Sequence, residues 1–511
     1  MVPEQEVLPP REAKQQAAAH RAVRWLRIAF LLLVCALALL RFVHLKADFP
    51  DYSDWMSDQA KFTDEGWWAQ GAVMHRLLGH WNVPGDYNPA AATPVWPLLL
   101  SGVFHFTGVS VVAARVVTVL CSLVTLAFVF LLVRRHCGAS GEWAAMLAVL
   151  LLVASPFAFV FARLAILETP MILEFAALML VASCAQARRI WPLAALAIGV
   201  TAMVLTKPTG ALLAPAILWM TWRQMGGTLK ALAQAMLAVA VVPAILLESY
   251  AGLVKALGYG ADYKYFFDVN AMPDIVWKQS FATLADLFGN CFWVDRVLFP
   301  AGLAILALSV AWKRELWRNP LFTASWIAIA ADTAFIFSRQ DDYAPRYFLP
   351  MLLPLIFVAV LAFDLLAFRH RAFAALLLAA MVVSVAMNIA TTVAFIRRPT
   401  YRLWNAALSI RSIVQADAAQ KPLIFGVSGS QISLMTGIPS INDAYGTQDM
   451  AKKLASYQPG WYLAWNSIAE ENHDLFSPYA MQEAARFRVF DDDDRNQLIL
   501  YRMVRAQTPA R

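Results

Sequence analysis

The sequence predicts a polytopic α-helical membrane protein with a small α/β domain at its C-terminal end. The 511 residues are 60% hydrophobic and only 15% charged, whereas soluble domains carry about 25% charged residues. Apolar runs long enough to cross a hydrocarbon core of about 30 Å recur between residues 25 and 396. From residue 397 onward, short strand-like and helical patterns typical of a soluble domain replace these runs.

The apolar runs predict about eleven membrane-spanning helices. The run at 191–222 is too long for one crossing, and a charge beside a proline marks a turn at Lys207-Pro208, so this run predicts two short spans. The shorter, proline-flanked run at 94–107 predicts an interfacial or re-entrant helix. The remaining spans are expected near residues 25–43, 111–133, 142–162, 168–187, 232–250, 297–313, 320–337, 348–367 and 372–396.

Basic residues between the spans predict the orientation. With a cytoplasmic N-terminus, every cytoplasmic connection contains Lys or Arg, and an odd number of spans places the C-terminus outside. No small-residue cleavage site follows the first span, which predicts an uncleaved anchor. The expected parts are a cytoplasmic segment 1–24, a membrane domain 25–396 with outer loops 44–110 and 251–296, and an outer α/β domain 397–511. The basic connections contain Arg134-Arg135, Arg188-Arg189, Arg223 with Lys230, Lys313 with Arg314, and Arg369 with Arg371.

The outer domain is predicted from short alternating patterns. The acidic run Asp491–Asp494 lacks the spaced oxygen ligands and loop glycine of a calcium site, so it predicts a solvated hairpin turn. Ser428-Gly429-Ser430 lacks a phosphate-loop pattern and predicts a turn between a strand and a helix. Strands are expected at Leu423–Val427, Trp461–Trp465, Phe487–Phe490 and Gln497–Met503, with helices near 429–436 and 467–485.

Several function classes are disfavoured by composition. The net charge is +7, but the basic residues form short clusters between apolar runs and no basic stripe, so no nucleic-acid partner is expected. The five cysteines are scattered without a CxxC pair, which argues against a disulfide framework or a zinc site. The histidines form no HExxH motif, so no metalloprotease is indicated.

Four charged features at span ends lie on the predicted outer face. They are Asp64-Glu65, Arg163 with Glu168, Lys207, and Arg346. Each has an ordinary structural interpretation, as acids at a helix N-terminus, an interfacial ion pair or snorkelling cations. Because all four features lie on the same side of the membrane, they predict a reaction centre for a phosphorylated substrate. The carboxylates would act as the base or orient the reacting groups, and the cations would hold the phosphate.

The order of these motifs resembles the GT-C glycosyltransferases, and most closely the protein mannosyltransferase and lipid A aminoarabinose transferase group (glycosyltransferase families 39 and 83). The resemblance covers roughly residues 25–400. It rests on an acid pair in the first outer loop, followed by Arg163-x(4)-Glu168-x-Pro170, Leu205-Thr206-Lys207-Pro208-Thr209-Gly210 and Arg346-Tyr347-Phe348-Leu349-Pro350.

The resemblance implies an inverting membrane glycosyltransferase. Such an enzyme moves a hexosyl or pentosyl group from a polyprenyl-phosphate donor to a lipid, glycan or protein of the cell envelope at the outer face, as in lipid A modification. Asp64 matches the general base, Glu65 its companion and Glu168 the second acid. The donor phosphate would be held by Lys207, Arg346, Arg163 and Tyr347. The cations could replace a metal, so neither an obligatory metal nor another cofactor is expected.

The first outer loop departs from the family pattern. Relatives often have a Lys-Pro-Pro segment after the acid pair, whereas this chain has no lysine between residues 87 and 94. Tyr87, Asn88 and Thr93 are therefore the candidates for the missing groove contact. The aromatic residues of loop 251–296 predict an interfacial aromatic belt, a lid over the lipid-donor groove, or both.

Two other function classes remain as alternatives. A lipid or solute transporter would place ionisable residues near the bilayer midplane, and Glu174 and Asp332 are the main charges away from span ends. A non-catalytic scaffold with an outer binding module is the other alternative. The predicted outer segments contain no Asn-x-Ser/Thr sequon. This favours a bacterial inner membrane, an undecaprenyl donor lipid and a periplasmic C-terminal domain.

Overall fold

The computed structural model of the chain describes residues 10–50, 59–138, 141–270, 281–282, 285, 295–311, 314–338, 344–491 and 493–505. Some sequence predictions fall outside the described residues. These are the start of the N-terminal segment, Tyr343, Asp492, and most of loop 251–296 beyond Asn270, including Trp277, Phe288, Phe292 and Trp293.

The membrane part of the chain is helical, as predicted. Among the described residues, six helical segments are long and apolar enough to cross a membrane by length and composition. The polytopic character is therefore confirmed, while the number of eleven spans stays a prediction. The helices are α1 (Pro10–Leu40), α2 (Asp64–Leu78), α3 (Val95–Thr107), α4 (Val111–His136), α5 (Gly141–Ala154), α6 (Pro156–Phe161), α7 (Glu168–Ser183), α8 (Ile190–Thr206), α9 (Ala214–Gln224), α10 (Leu229–Met236), α11 (Val242–Ala256), α12 (Gly260–Val269), α13 (Leu298–Ala311), α14 (Pro320–Ser338), α15 (Leu349–Arg369) and α16 (Arg371–Arg397).

Proline sets two of the helix breaks. Helix α8 ends at Thr206, Lys207 is extended, and Pro208 begins a 3-10 turn that leads into α9, so the predicted break of the run 191–222 is confirmed. The run 142–162 also breaks, at Ser155-Pro156, which its apolar composition did not indicate. Ser155 caps α6 by accepting from the backbone N–H of Ala158 at 3.2 Å.

The C-terminal part forms a five-stranded mixed sheet with helices packed on it. The strand order is β2-β1-β3-β5-β4; β1 pairs in parallel with β2 and β3, and β5 pairs antiparallel with β3 and β4. The predicted small α/β domain is confirmed. Its elements are α17 (Arg402–Ala416), β1 (Ile424–Phe425), α18 (Gly429–Thr436), β2 (Ser440–Ile441), α19 (Met450–Tyr457), β3 (Trp461–Trp465), α20 (His473–Phe476), β4 (Tyr479–Arg488) and β5 (Gln497–Arg505).

The predicted helix near 467–485 is wrong over most of its length. Only His473–Phe476 is α-helical, and residues 479–488 form β4. Ala480, Met481 and Gln482 favour helices intrinsically, but the antiparallel ladder with β5 overrides that weak local preference.

The first outer loop and the C-terminal domain share one apolar core. A single cluster of buried side chains runs from α2 and α3 into α17 and the sheet. Shared burial of this kind holds two segments together without directional bonds. Its members include Ala69, Trp96 and Phe104 on one side and Ile410, Phe425, Ile432 and Leu463 on the other.

A buried ion pair also joins these two segments. Asp86 of the outer loop accepts from the backbone N–H of Asn442 at 2.9 Å and lies 3.7 Å from the Lys453 ammonium. Burial raises the pKa of Asp86 to about 6, although Lys453 opposes this shift. Lys453 is fully buried and also donates to the carbonyls of Asn442 and Tyr445.

We expect Lys453→Met to destabilise the protein. The change leaves Asp86 buried without its cation, and breaking a buried pair from one side costs about 3–5 kcal/mol. The thermal unfolding midpoint of the purified protein in detergent should fall clearly. Lys452→Met is the matched control because Lys452 is the next residue and its side chain is 71% exposed. Equal midpoints for the two variants would contradict the assigned role of the pair.

Candidate active site

The predicted acid pair lies at the first turn of α2 and is buried. Asp64 and Glu65 are each 1% exposed. The helix begins at Asp64, and the preceding Thr63 makes no side-chain capping bond to it. Instead, the backbone N–H of Gly66 donates to the side-chain oxygen of Gln431 in the C-terminal domain at 2.8 Å.

Glu65 is held by three segments. Arg115 of α4 donates to both carboxylate oxygens, from Nε at 2.8 Å and from Nη2 at 2.6 Å. The backbone N–H of Ala165 and the side-chain amide of Gln431 donate to it as well, at 2.8 and 3.1 Å. A carboxylate with this many donors is fixed in orientation, so the geometry favours a positioning role for Glu65.

Arg346 joins the two other predicted acids. Its guanidinium lies 2.9 Å from Asp64 Oδ2 and 3.4 Å from Glu168 Oε1. Glu168 Oε1 also accepts a short hydrogen bond from the Lys207 ammonium. Four charged side chains that are distant in sequence therefore form one buried cluster, as their predicted sidedness implied.

Each of the three acids stands at a helix N-terminus. Asp64 and Glu65 are the first residues of α2, and Glu168 is the first residue of α7. Backbone N–H groups and the helix dipole make such positions favourable for negative charge.

A cavity of about 250 Å³ opens beside the two cations. Lys207 and Arg346 line it together with mostly apolar and aromatic residues. Two cations among mostly apolar walls match an amphipathic ligand with an anionic group. The other lining residues are Trp68, Leu167, Pro208, Thr209, Ala211, Leu212, Phe266, Phe267, Asn270, Phe335 and Tyr347.

Two elements shape this cavity around the cations. Tyr347 lies beneath both, with its ring centre 5.3 Å from Lys207 Nζ and 5.1 Å from the Arg346 guanidinium carbon, an arrangement that attracts cations to the ring face. Helix α12 contributes Phe266 and Phe267, and Asn270 follows directly after its end. The described part of loop 251–296 thus lines the cavity; whether it moves as a lid stays a prediction.

Asp332 of α14 also faces the cluster. It is buried and lines a small recess with Glu168, Lys207 and Arg346. Among the described residues, Asp332 Oδ2 and Glu168 Oε2 have no hydrogen-bond partner. Glu174, the other acid away from the span ends, accepts instead from Thr206 Oγ1 at 2.8 Å.

Arg163 lies at a different place. Its guanidinium donates to the backbone carbonyls of Val43 and His44, at 2.5 and 2.8 Å, and stacks on Phe159. It lines a separate recess with Asp48 and Arg398. Burial lowers the pKa of Arg163 to about 10, and the nearby Arg115 adds to this shift. The structure does not bring Arg163 to the Lys207–Arg346 cavity, which disfavours its predicted contact with a donor phosphate.

Of the three predicted groove residues, only Tyr87 is near the acids. Burial raises the pKa of Tyr87, and the charge of Asp64 adds to the shift. Asn88 bonds within its own loop and to Asp262 of α12 at 3.0 Å, and Thr93 donates to the carbonyl of Pro89. Their polar groups serve the loop, and none of the three residues lines the cavity; a contact of Tyr87, Asn88 or Thr93 with the substrate stays a prediction.

No group of three or more His, Cys, Asp or Glu side chains with a metal-binding arrangement occurs within the described ranges. The three acids of the cluster face Arg115, Lys207 and Arg346. Arg115 bonds both oxygens of Glu65, and Lys207 and Arg346 contact Glu168 through Oε1. The expectation that no metal is obligatory stays a prediction.

The fold and the site together define a membrane-embedded GT-C architecture. The crystal structure of ArnT from Cupriavidus metallidurans bound to undecaprenyl phosphate superposes with a TM-score of 0.60 at 15% identity, over 94% of this chain and 98% of that chain. The crystal structure of the same protein in the apo state also superposes with a TM-score of 0.60 at 15% identity, over 93% of this chain and 98% of that chain. The crystal structure of the oligosaccharyltransferase of Archaeoglobus fulgidus superposes with a TM-score of 0.53 at 13% identity, over 92% of this chain and 75% of that chain. These likenesses show the fold.

A family comparison adds sequence support. The model of the dolichyl-phosphate-mannose-protein mannosyltransferase family matches residues 90–248, a range that includes Glu168 and Lys207. No curated protein sequence matches the chain. The predicted resemblance to the GT-C group of protein mannosyltransferases and aminoarabinose transferases is confirmed. The family match and the fold together support a multi-pass membrane glycosyltransferase.

Sequence reasoning missed two residues of the site. Arg115 sits near the start of an apolar span, and a charge in such a place is itself a signal of function or pairing. Gln431 gave no comparable signal, because one polar residue at the start of a soluble helix is ordinary. Only the folded arrangement places it on the acid pair, 365 and 366 residues away in sequence from its partners.

The Arg115–Glu65 pair can be tested by stability. We expect Arg115→Met to lower the free energy of unfolding by about 3–5 kcal/mol, because it leaves a buried carboxylate without its cation. The double variant with Glu65→Gln should recover about half of that loss, since it removes the stranded charge. Thermal unfolding midpoints of both variants measure this. A double variant less stable than the single one would contradict the proposed pairing energetics.

Proposed function

We propose that the protein is an inverting glycosyltransferase that moves a sugar from a polyprenyl-phosphate donor to an acceptor hydroxyl of the cell envelope. The observation that carries this proposal is the shared position of Lys207 and Arg346. Both line the apolar cavity, and both contact the buried acids. A lipid phosphate needs cations at the end of an apolar groove, and the reaction needs a base next to them.

The similar ArnT crystal structure binds undecaprenyl phosphate, which supports a lipid of this class as the donor carrier. The donor phosphate would bind Lys207 and Arg346, and the polyprenyl chain would follow the walls formed by Phe266, Phe267 and Leu212. In this arrangement the sugar lies between the phosphate and Asp64. The site then faces the periplasm of a bacterial inner membrane.

The proposed reaction is a single displacement at the anomeric carbon. Asp64 takes the proton of the acceptor hydroxyl as the acceptor oxygen bonds to that carbon from the face opposite the phosphate. The bond between the anomeric carbon and the phosphate oxygen breaks, and its electron pair stays on the phosphate. Lys207 and Arg346 stabilise the charge that develops there. The products are a glycosylated acceptor with inverted configuration and polyprenyl phosphate.

Glu65 and Glu168 would then act by positioning. Glu65, held by Arg115, fixes the first turn of α2. Glu168 aligns Lys207 and Arg346 towards the cavity. Holding reacting groups in the correct geometry is itself a large part of catalysis.

We expect Asp64→Asn to lower kcat for sugar transfer about a thousandfold, because general-base catalysis contributes 10²- to 10⁴-fold. Purified protein in detergent is incubated with polyprenyl-phosphate sugars and envelope extract, and sugar loss from the lipid is followed by mass spectrometry. Asp474→Asn, an exposed acid of the outer domain, is the control. Undiminished transfer by the Asp64 variant would exclude it as the base.

The same assay separates an enzyme from a transporter. Detergent solution has no two compartments, so a transporter or flippase would leave the donor lipid chemically unchanged. Sugar loss that depends on the protein therefore supports transfer. An intact donor lipid with every sugar offered would count against the proposed function.

We expect Lys207→Met to weaken donor binding. A hydrogen bond to a charged group contributes about 1.5–3 kcal/mol, so the Kd for polyprenyl phosphate should rise by roughly tenfold or more. The measurement is ligand titration by native mass spectrometry. Lys230→Met, at an exposed lysine in the first turn of α10, is the matched control. An unchanged Kd for the Lys207 variant would show that Lys207 does not bind the donor phosphate.

A further inference from the structure

The C-terminal domain reaches the acid pair through one residue. Gln431 lies in the first turn of α18 and is fully buried. Its side-chain oxygen accepts from the backbone N–H of Gly66, and its side-chain amide donates to Glu65 Oε2. One glutamine therefore contacts both the backbone and a side chain of the turn that carries Asp64.

This contact replaces an ordinary helix cap. The first N–H groups of a helix have no partner within the helix and are usually satisfied by the side chain of the preceding residue. Thr63 does not provide that bond for α2, and Gln431 bonds the third residue instead. The N-terminal turn of α2 is thus capped from the C-terminal domain.

The fit at this point is close. A Cβ added to Gly66 would lie 2.2 Å from the backbone nitrogen of Gln431 and 2.3 Å from the backbone carbon of Ser430. Only glycine allows the two helices to approach this far. Trp67, the next residue, donates from its indole to the carbonyl of Val427 at 3.2 Å. Two consecutive residues after the acid pair are therefore attached to the segment 427–431.

The domain is also fixed on the outer loop at a second place. Gly85 accepts from the backbone N–H of Gln448 at 3.0 Å, and Asp86 binds Asn442 and Lys453. With the shared apolar core, these bonds leave α18 little freedom to move relative to α2. The contact of Gln431 is therefore a fixed part of the site.

We propose that the C-terminal domain is an integral part of the catalytic centre, with Gln431 as a positioning residue that orients Asp64 and Glu65. The inference rests on the proposed function and extends it to a domain with no other assigned role. The domain acts through α2 and does not touch the reacting atoms. It holds the base at the distance from Lys207 and Arg346 that the displacement needs.

Gln431→Met tests the positioning role. Methionine has a similar length but makes neither hydrogen bond, so the first turn of α2 loses its cap. We expect kcat to fall between tenfold and a hundredfold, as small misplacements of catalytic groups do. The KM for the donor should stay within about twofold, because Lys207 and Arg346 are unchanged. Ser433→Ala, a buried change in the same helix, is the control that retains full activity.

Gln431→Glu should change the pH dependence of kcat, a quantity that would stay the same if Gln431 had only a structural role. The new carboxylate can still accept from Gly66, but it places a second negative charge against Glu65. Glu65 contacts Gln431 directly, Arg115 is paired with Glu65, and Arg346 is paired with Asp64 in the same helix turn. A like charge raises the pKa of a neighbouring carboxylic acid. The acidic limb of the kcat profile, set by protonation of the base, should therefore move to higher pH.

The outcomes are distinguishable from failure of the proposed function. If the wild type transfers no sugar, the function itself is wrong. The inference is overturned if the wild type is active and both Gln431 variants have the same kcat as the wild type, with the acidic limb of the pH profile at the same pH. It is also overturned if kcat falls only in proportion to the folded fraction, measured by binding of polyprenyl phosphate. A lowered kcat with retained binding supports it.

Discussion

The buried contact of Arg346 with Asp64 and Glu168 is the interaction on which the site depends. Arg346 comes from the turn before α15, Asp64 from the first outer loop and Glu168 from the start of α7. A buried charge is costly unless it is paired, and removing one partner leaves the others exposed to that cost. The three segments are therefore held in one arrangement by their own electrostatics. The pairing of Glu65 with Arg115 fixes the other side of the same helix turn.

Much of this arrangement could be predicted from the sequence because the membrane restricts the choices. Apolar runs can only be spans or buried helices, and basic residues set their orientation. That reasoning placed Asp64, Glu168, Lys207 and Arg346 on one face. The break at Lys207 followed from the lysine and proline themselves. Bilayer constraints thus led from composition to four side chains that the structure brings into contact.

What the sequence could not predict depends on packing between segments distant in the chain. Nothing local distinguishes Arg163, which binds the turn after α1, from Lys207, which faces the cavity. Strand β4 has helix-favouring residues and becomes a strand only by pairing with β5. Gln431 acquires its role from the docking of α18 on Gly66. In each case a tertiary contact decides between two locally reasonable interpretations.

The charges of the centre also fit the proposed displacement. Lys207 and Arg346 contact two carboxylates, Asp64 and Glu168, and the buried Asp332 lies in the same recess as Glu168 and the two cations. In the proposed reaction the departing phosphate would gain a negative charge, while Asp64 would lose one by accepting the proton of the acceptor. The total charge within the buried centre is then unchanged, which limits the electrostatic cost in a region of low dielectric constant. Arg346 contacts Asp64 and also lines the cavity. It can therefore stabilise the negative charge of the base before the reaction and that of the departing phosphate afterwards.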